Sequence, residues 1–384
     1  MRAEVAHLQG ALADTRAGRN ADDSGDLTGY LAGLAHCCAL FAANDLPDRP
    51  RVLWNLYPGA EAGLPNPDTI YRYVIVSPDY RYEITGRRGT SADLTFQVDD
   101  SGPERAGRLN RNLGLLAASD LAVRPDGTFT ITVGPDEADG RPNHLRLPSD
   151  ARRIMVRDTV SDWTQTATSL AVRRVGGGPV QPEPGLDELA ERAAGFLASA
   201  APLWVKIPEQ YNYVLPPNTL PEARPTGAGG LQNQYVTTGT FSLTDDEALV
   251  VTAAPGTASY LGFQLGSNWY VDYDYRNHTS SLTSEQATTN PDGSFTWVIA
   301  LRDPGHANWL DPADHHQGLT LMRWQGLSAP LPSSASPRVA RVRLAELRSS
   351  VPEGSPFVSA AERQRSAARR RQQYDARMAR LRHP

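Results

Sequence analysis

The chain has 384 residues, which exceeds the usual size of one domain, so two domains are expected, each large enough to bury its own core. Hydrophobic residues make up 40% of the sequence, and 32 glycines and 30 prolines indicate many turns and short elements, which favours a β-rich architecture over a helical bundle. The two cysteines, Cys37 and Cys38, are adjacent, so neither a structural disulfide nor a zinc site is expected.

Charge is distributed unevenly along the chain. From Pro337 onwards, 12 arginines stand against four acidic residues, although the net charge of the whole chain is −5. The remaining residues are therefore acidic and would repel phosphate, and Tyr374 is the one aromatic residue in the arginine-rich stretch 362–382. We expect no nucleic-acid partner, and we interpret this stretch as a solvated C-terminal helix on the acidic body of the protein.

The N-terminal region predicts no membrane or export signal. The sequence has no uninterrupted run of 18 apolar residues, and residues 1–20 lack the charged, apolar and small-residue order of a secretory signal. A cytoplasmic protein without a membrane partner is expected, and a homo-oligomer is compatible with the sequence.

Periodicity changes along the chain from helical to strand-like and back. Residues 26–44 have apolar side chains at three- and four-residue spacing, which predicts a helix with one buried stripe. After Pro50 the period becomes two, as in TFTITV at 128–133, which is typical of an antiparallel sheet with one solvated face. A Gly-Gly-Gly-Pro break at 176–179 predicts a linker, residues 186–204 are helical in pattern, and strands resume near Phe241.

The sequence contains an internal duplication. Residues 126–158 and 292–324 share an Asp-Gly turn, a phenylalanine, an asparagine and an arginine at nearly equal intervals. The matched asparagines are Asn143 and Asn308, and the matched arginines are Arg157 and Arg323. A weaker match pairs YEITG at 82–86 with GFQLG at 262–266. The chain is therefore predicted to be mainly β, with two related antiparallel β-sandwich modules and flanking and connecting α-helices.

Several motifs resemble those of the bacterial domain of unknown function family 1214, which is often coupled with the 1254 family. They are NPDTIYRYVIVSPDYRYEITGRRG from Asn66, SSLTSEQ at 280–286, DPGHANWLD at 303–311, HHQG at 315–318 and MRW at 322–324. The resemblance implies a jelly-roll-like β-sandwich and no established chemistry. The positions that carry it are Asn66, Asp68, Tyr71, Ser281, Gln286, Asn308, Trp309, Asp311, His315 and Arg323. Thr283, Pro312 and Asp314 depart from the pattern.

The first candidate site is the group Trp309, Asp311 and His315, found in the second repeat alone. An indole offers a flat surface for a sugar ring or polycyclic substrate, and a carboxylate with an imidazole can act as base and acid. The alternative is that Trp309 plugs the end of the sandwich while Asp311 caps the following turn.

The second candidate is NWYVDYDYRNH at 268–278. Strict alternation would place Asp272 and Asp274 on one face, roughly 7 Å apart, and Tyr275 on the other, with His278 after the strand as a proton carrier. A solvated sheet face has the same pattern, so catalysis and simple solvation both remain open.

Two further groups complete the candidates. His306, Asp311, Asp314, His315 and His316 contain metal-ligand side chains, but their spacing matches no known metal motif, so no metal is expected. The segment with Asn66, Asp68, Tyr71 and Tyr73 either lines a cleft between modules or satisfies local backbone.

These patterns lead to one division of the chain and one functional hypothesis. The predicted segments are an N-terminal helical segment at 1–50, a first module at 51–175, a linker with a helix at 176–236, a second module at 237–335 and an arginine-rich C-terminal helix at 336–384. The leading hypothesis is a cofactor-independent enzyme acting on a hydroxylated small molecule or saccharide, of lyase, hydrolase or isomerase type, and the alternative is a non-catalytic binding protein for such ligands. The proton carriers would be Asp311, His315 and His278, and the substrate-binding residues would be Trp309, Asn308, Tyr275, Arg323, Tyr71, Asp68 and Asn66.

Overall fold

A computed structural model describes residues 1–57, 61–227 and 229–382 of the chain. The helices are α1 (Arg2–Ala13), α2 (Ala21–Ser24), α3 (Leu27–Ala43), α4 (Pro103–Ala106), α5 (Leu186–Tyr211), α6 (Leu347–Ser350) and α7 (Ala360–Arg382). The strands of the first module are β1 (Leu53–Trp54), β2 (Thr69–Ile75), β3 (Arg81–Arg87), β4 (Asp93–Asp99), β5 (Asn112–Ala117), β6 (Thr128–Gly134), β7 (His144–Arg146), β8 (Arg153–Thr159) and β9 (Ser169–Val175). Those of the second are β10 (Arg224–Pro225), β11 (Gln234–Ser242), β12 (Glu247–Ala253), β13 (Tyr260–Gly266), β14 (Ser281–Thr283), β15 (Phe295–Ile299), β16 (Trp309–Leu310), β17 (Gln317–Gln325) and β18 (Arg338–Arg343).

The first module is a sandwich of two sheets. Its five-stranded sheet has the order β1-β2-β8-β4-β5 and its four-stranded sheet the order β7-β6-β3-β9. Neighbouring strands are antiparallel except for the short parallel pair of β6 and β7. The predicted alternation in β6 is confirmed, because Phe129, Ile131 and Val133 are buried in the core between the sheets while the threonines between them lie on the outer face.

The second module repeats this topology strand for strand. Its sheets have the orders β10-β11-β17-β13-β14 and β16-β15-β12-β18, so each strand of the first module has its counterpart nine strands later. The single parallel pair recurs between β15 and β16. Phe263, Trp297 and Trp324 fill the core of this module. The prediction of two related β-sandwich modules is therefore confirmed.

The duplication extends to individual hydrogen bonds. In the first module, Asn143 Nδ2 donates to the Ala122 carbonyl and the Ala122 amide donates to Asn143 Oδ1, both at 2.7 Å. In the second, Asn308 exchanges the same two bonds with Thr288, again both at 2.7 Å. Each asparagine therefore fastens a preceding loop to its sheet, which is why both repeats carry it.

The weaker sequence match was placed one strand away from its true position. YEITG is β3, whereas GFQLG belongs to β13, whose counterpart is β4. Arg157 pairs with Thr95 across β8 and β4, and Arg323 pairs with Gly262 across β17 and β13. Counting two residues along each strand from those pairs makes Gln97 and Gln264 equivalent.

The second module is longer than the sequence predicts. Its strands begin with β10 at Arg224 and end with β18 at Arg343, beyond both predicted limits of 237 and 335. Both missed ends are short or exposed edge strands, and β18 alternates arginine with small apolar residues. Charged edge strands resist pairing with other chains, but their composition is easily taken for that of a loop or tail.

The N-terminal helices and α5 pack together beside the two modules. The predicted stripe on α3 is confirmed, because Tyr30, Leu31, Leu34, Cys38 and Phe41 are all buried. By length and composition alone, Asp22–Ala43 is also apolar enough to cross a membrane. In the folded chain this stretch forms α2 and α3, and most of that stripe packs with α1 and α5 around Trp269.

We predict that Gly33→Ala destabilises the protein, because α3 contacts the backbone of Glu61 at this residue. A Cβ at Gly33 would lie 2.1 Å from the carbonyl oxygen of Glu61. Overpacking of this kind costs about 1–3 kcal/mol. Gly29 in the same helix is the matched control, since a Cβ there meets nothing within 4 Å. Urea unfolding should show Gly29→Ala neutral or stabilised by up to about 1 kcal/mol, and equal stability of the two variants would contradict the packing argument.

The C-terminal helix α7 lies across both modules. Arg377 Nη1 donates to the Pro67 carbonyl of the first module at 2.7 Å, and Arg370 Nε donates to the Tyr275 carbonyl of the second at 2.9 Å. Both arginines are buried, so the prediction of a solvated helix is wrong for this face. Arg370 also stacks over the ring of Trp163, with 4.2 Å between the guanidinium carbon and the ring centroid.

Candidate functional site

A cavity lined by several buried polar side chains lies between the two five-stranded sheets. This inter-module cavity has a volume of about 250 Å³ and is covered by α3 and α5. The strand residues in its lining lie on the outer faces of both sheets, not in either sandwich core, and the other lining residues belong to helices and loops. The residues that carry the argument below are Cys37, Asn55, Tyr71, Glu104, Arg153, Arg157, Arg323 and Gln325.

Two equivalent arginines face the inter-module cavity, one from each module. Arg157 Nη1 donates to Gln97 Oε1 at 3.1 Å, and Arg323 donates to Gln264 Oε1 and, from Nη2 at 2.8 Å, to the Leu64 carbonyl. Both arginines are less than a tenth exposed. Within the described residues, neither has a carboxylate within ion-pairing distance, which is unusual because burying an unpaired charge is costly.

Each glutamine is itself held by a carboxyl group. Gln97 Nε2 donates to Asp99 Oδ1 at 2.8 Å, and Gln264 Nε2 donates to Asp272 Oδ1 at 2.7 Å. The second-module residue equivalent to Asp99 is Gly266, which has no side chain. Asp272 forms a β-bridge with Gly266 and so brings a carboxyl group to the corresponding place. The duplicated modules therefore build the same chain of arginine, glutamine and carboxyl group twice.

The carboxyl groups near Arg323 leave its charge uncompensated. Burial raises the pKa of Glu61 to about 8, although a hydrogen bond from the Asp272 amide acts in the opposite direction. Burial, followed by the nearby charge of Glu61, also raises the pKa of Asp272 well above its usual range, although Arg323 lowers it. Burial therefore favours the neutral form of both acids.

Arg153, the third arginine of the cavity, is compensated. Its guanidinium lies 3.3 Å from Asp99 and 3.3 Å from Glu104, both in buried surroundings. Near Arg157, burial raises the pKa of Asp93 to about 6, while Arg88 and, more weakly, Arg157 lower it. Among the described residues, Arg157 and Arg323 are therefore the cavity arginines without an ion-paired carboxylate.

Two buried amides in the same wall have unused hydrogen-bonding atoms. Asn55 Nδ2 and Gln325 Oε1 make no hydrogen bond to any described residue, although each side chain is about 98–99% buried. Buried polar atoms are normally satisfied by protein, water or ligand. A donor and an acceptor that both line the cavity are therefore available to a bound molecule.

The two cysteines at this cavity, Cys37 and Cys38, are not set up as nucleophiles, because burial raises the pKa of both thiols. Burial raises the pKa of the Cys37 thiol to about 12, although a hydrogen bond to Asn55 lowers it slightly. Reactive cysteines need the thiolate, which a low pKa provides. Cys37 therefore contributes packing and polarity to the wall.

The structure brings together the three predicted residues Asn66, Asp68 and Tyr71. The Asn66 amide donates to Tyr71 Oη at 3.0 Å, and Asn66 Oδ1 accepts from the Asp68 amide at 3.0 Å. Asp68 accepts from Trp163 Nε1 at 2.7 Å and from Tyr260 Oη at 2.8 Å. This network joins the two modules, and Tyr71 is its member that lines the inter-module cavity.

The predicted proton carriers form two separate pairs outside this cavity. His278 Nδ1 lies 2.8 Å from Asp311 Oδ2, and His315 Nε2 lies 3.1 Å from Asp26 Oδ2. Burial lowers the pKa of His315, but its bond to Asp26 and the carbonyls of Pro312 and Ala313 raise it overall. Asp311 also accepts from the Ala313 amide at 2.9 Å, which is the turn-capping role given as the alternative.

Trp309 and Asn308 occupy structural positions. Trp309 packs on the outer face of the four-stranded sheet, donates from Nε1 to the Ala300 carbonyl at 2.8 Å and lies beneath Arg363. Asn308 is 1% exposed, and its amide group is fully engaged with Thr288 and Thr296. We therefore revise the predicted ligand-binding role of Asn308 to a structural one, because no donor is left for a ligand.

The predicted alternation at 268–278 is wrong, because this segment is irregular. Asn268 Nδ2 and Trp269 Nε1 both donate to Asp23 of the N-terminal region, at 2.8 and 2.6 Å, and Tyr270 has φ of 60°. Asp272 and Asp274 therefore do not share a sheet face. The Tyr275 ring is buried edge-on against Trp163 and Tyr374, in contact with a second cavity of about 320 Å³ that Asp272 also lines.

The histidine-rich candidate is also dispersed. His306 is buried against Phe357, and burial lowers its pKa to about 4. His316 pairs with Asp245 at the surface. In the part of the chain that the structure describes, no group of three or more His, Cys, Asp or Glu side chains is arranged to hold a metal ion.

Sequence reasoning missed Arg157, Gln97 and Gln264 as site residues. Of the two matched arginines, Arg323 alone is predicted from the sequence to bind substrate. The available signal was the shared Phe-Gln pair of residues 96–97 and 263–264, which the misplaced match concealed.

No known protein-family profile matches the chain, and no curated protein matches it. Among solved structures, it is similar to an uncharacterised protein from Burkholderia cenocepacia, with 28% identity and a TM-score of 0.80 over 90% of this chain and 96% of that one. A protein from Vibrio parahaemolyticus covers 88% of this chain and all of its own length, with 11% identity and a TM-score of 0.47. The first likeness extends over nearly all of both chains, so it includes both modules.

Proposed function

We propose that this protein binds a small organic anion in the inter-module cavity. The observation that carries the proposal is the pair of buried arginines, Arg157 and Arg323, which line one cavity without carboxylate partners among the described residues. A carboxylate ligand would supply the missing counter-charge and can accept two parallel hydrogen bonds from a guanidinium. Asn55 and Gln325 would add one donor and one acceptor.

Binding without catalysis fits the chemistry of the lining. The described lining residues include no histidine, both lining cysteines have raised pKa values, and Glu104 is paired with Arg153. General acid–base catalysis needs a group whose pKa lies near the working pH. This is the non-catalytic alternative from the sequence, moved from the Trp309 region to the interface and from a saccharide to an anion.

Titration calorimetry and thermal unfolding with small carboxylic acids and their amides would test this proposal. We expect the acids to bind and to raise the melting temperature, whereas the amides do neither, because the guanidinium groups discriminate by charge. Binding should disappear in the double variant Arg157→Met/Arg323→Met. Arg302→Met is the control, since Arg302 lies at the surface of the second module, paired with Asp245. Equal binding of acids and amides, or no binding of any acid, would refute the proposal.

A second candidate function is acid–base catalysis by His278 and Asp311. It is favoured by their 2.8 Å contact, which would hold the imidazole in one orientation while about a third of its side chain stays exposed. Metabolite profiling of wild type and Asp311→Asn with cell extract as the substrate source would test it. Identical product profiles would eliminate this candidate.

The motif resemblance to family 1214 leads us to propose that the chain is a divergent relative of that group.

A further inference from the structure

The two arginines occupy equivalent places in a duplicated structure, and this bears on the shape of the ligand. Arg157 lies on β8 of the first module and Arg323 lies on β17 of the second, and each is oriented by an equivalent glutamine. Because both line one cavity, the duplication supplies two cationic groups, one from each five-stranded sheet. A ligand with one anionic group that bound either arginine would leave the other arginine buried and without a counter-charge.

The charge inventory of the cavity also indicates two anionic groups. Glu104 is the one acidic residue among the described lining residues, and it is paired with Arg153. Arg157 and Arg323 therefore remain as an excess of two positive charges. A dianion would neutralise both at once, whereas a monoanion would leave one guanidinium without a counter-charge.

Part of the cavity lining is apolar. Leu34 and Phe41 of α3, Leu64 and Met155 contribute to the same lining. A volume of about 250 Å³ corresponds to roughly eight water molecules at about 30 Å³ each. That space suits a short chain of methylene groups with a carboxylate at each end.

Resting on the proposed function above, we infer that the ligand class is a linear aliphatic dicarboxylate of about four to six carbons. One carboxylate would bind Arg157 in the first module, and the other would bind Arg323 in the second. The methylene groups would lie against Leu34, Phe41 and Met155. The bound molecule would therefore bridge the two modules.

The decisive measurement compares acids of equal length on the wild-type protein, which requires no variant to fold. Calorimetry should show succinate, glutarate or adipate binding about tenfold to a hundredfold more tightly than butyrate, valerate or caproate. Equal affinity of a dicarboxylate and its monocarboxylate would overturn this inference while leaving the proposed function intact. If no acid of either kind binds, the proposed function fails and the inference fails with it.

Single variants then separate the two ends of the ligand. Arg157→Met and Arg323→Met should each weaken dicarboxylate binding about tenfold or more, and should change monocarboxylate binding by no more than about twofold, because one arginine remains. Arg81→Met in the first module and Arg302→Met in the second are surface controls, and both should bind as wild type does. If one of these two variants weakened the binding of every acid and the other weakened the binding of none, the cavity would hold a single anionic group. That result would overturn the assignment of one carboxylate to each arginine.

Discussion

Glu61→Gln is expected to remove much of the pH dependence of stability between pH 5 and pH 8. Burial raises the pKa of Glu61 from its usual 4.5 to about 8 in the folded protein. Below the pKa of Glu61 in the unfolded chain, the folded and unfolded states both hold the proton. The contribution of Glu61 to the free energy of unfolding is therefore at its maximum there. Between the two values the unfolded chain has lost a proton that the folded chain keeps, and the free energy of unfolding falls by about 1.4 kcal/mol per pH unit.

Urea unfolding at pH 5, 6, 7 and 8 would measure this effect as a difference between wild type and Glu61→Gln. The difference reports Glu61 together with its effect on Asp272, whose pKa the Glu61 charge raises. Burial also raises the pKa values of Asp23 and Asp68, but those groups contribute to both proteins. Glu137→Gln is the matched control, since the Glu137 side chain is mostly exposed. Parallel pH profiles for wild type and Glu61→Gln would show that Glu61 titrates normally.

Asp68→Ala is expected to cost about 3–5 kcal/mol of stability, because it breaks a buried polar network between the modules. Asp68 is 2% exposed and accepts hydrogen bonds from Trp163 and Tyr260. Its charge also acts on Arg370, although burial is the larger influence and lowers the pKa of that arginine to about 10. Removing the carboxyl group would leave the Trp163 indole N–H unsatisfied and Arg370 without its nearby counter-charge, while Tyr260 Oη would keep Asn66 Oδ1 as its acceptor.

Chemical denaturation would measure this cost, with Asp136→Ala as the control. Asp136 also binds an arginine, Arg81, but both side chains are about half exposed. Exposed pairs of this kind contribute about 0–1 kcal/mol. Similar losses in the two variants would mean that the Asp68 network adds nothing beyond a surface ion pair.

The repeated architecture was predictable because it depends on local patterns. The alternation in β6, the apolar stripe of α3 and the Asp-Gly turns are each visible within a few residues of sequence. The equivalence of Asn143 and Asn308 was also visible, and the structure explains it by the loops that they fasten.

The candidate site was less predictable because it is made by contacts between distant segments. Arg157 and Arg323 are far apart in the chain, and only the packing of two outer sheet faces brings them to one cavity. Similarly, the bonds from Asn268 and Trp269 to Asp23 override the alternating pattern that follows them. A periodic pattern predicts which face a side chain takes, but not which surface that face will meet.

The placement of α7 has a consequence for the integrity of the molecule. Since Arg377 holds Pro67 and Arg370 holds Tyr275, the last helix joins the two halves independently of the covalent Gly-Pro connection between them. A protease that cut the chain within residues 176–184 would therefore leave a nicked particle whose fragments stay associated. The C-terminus thus serves as a second, noncovalent tether.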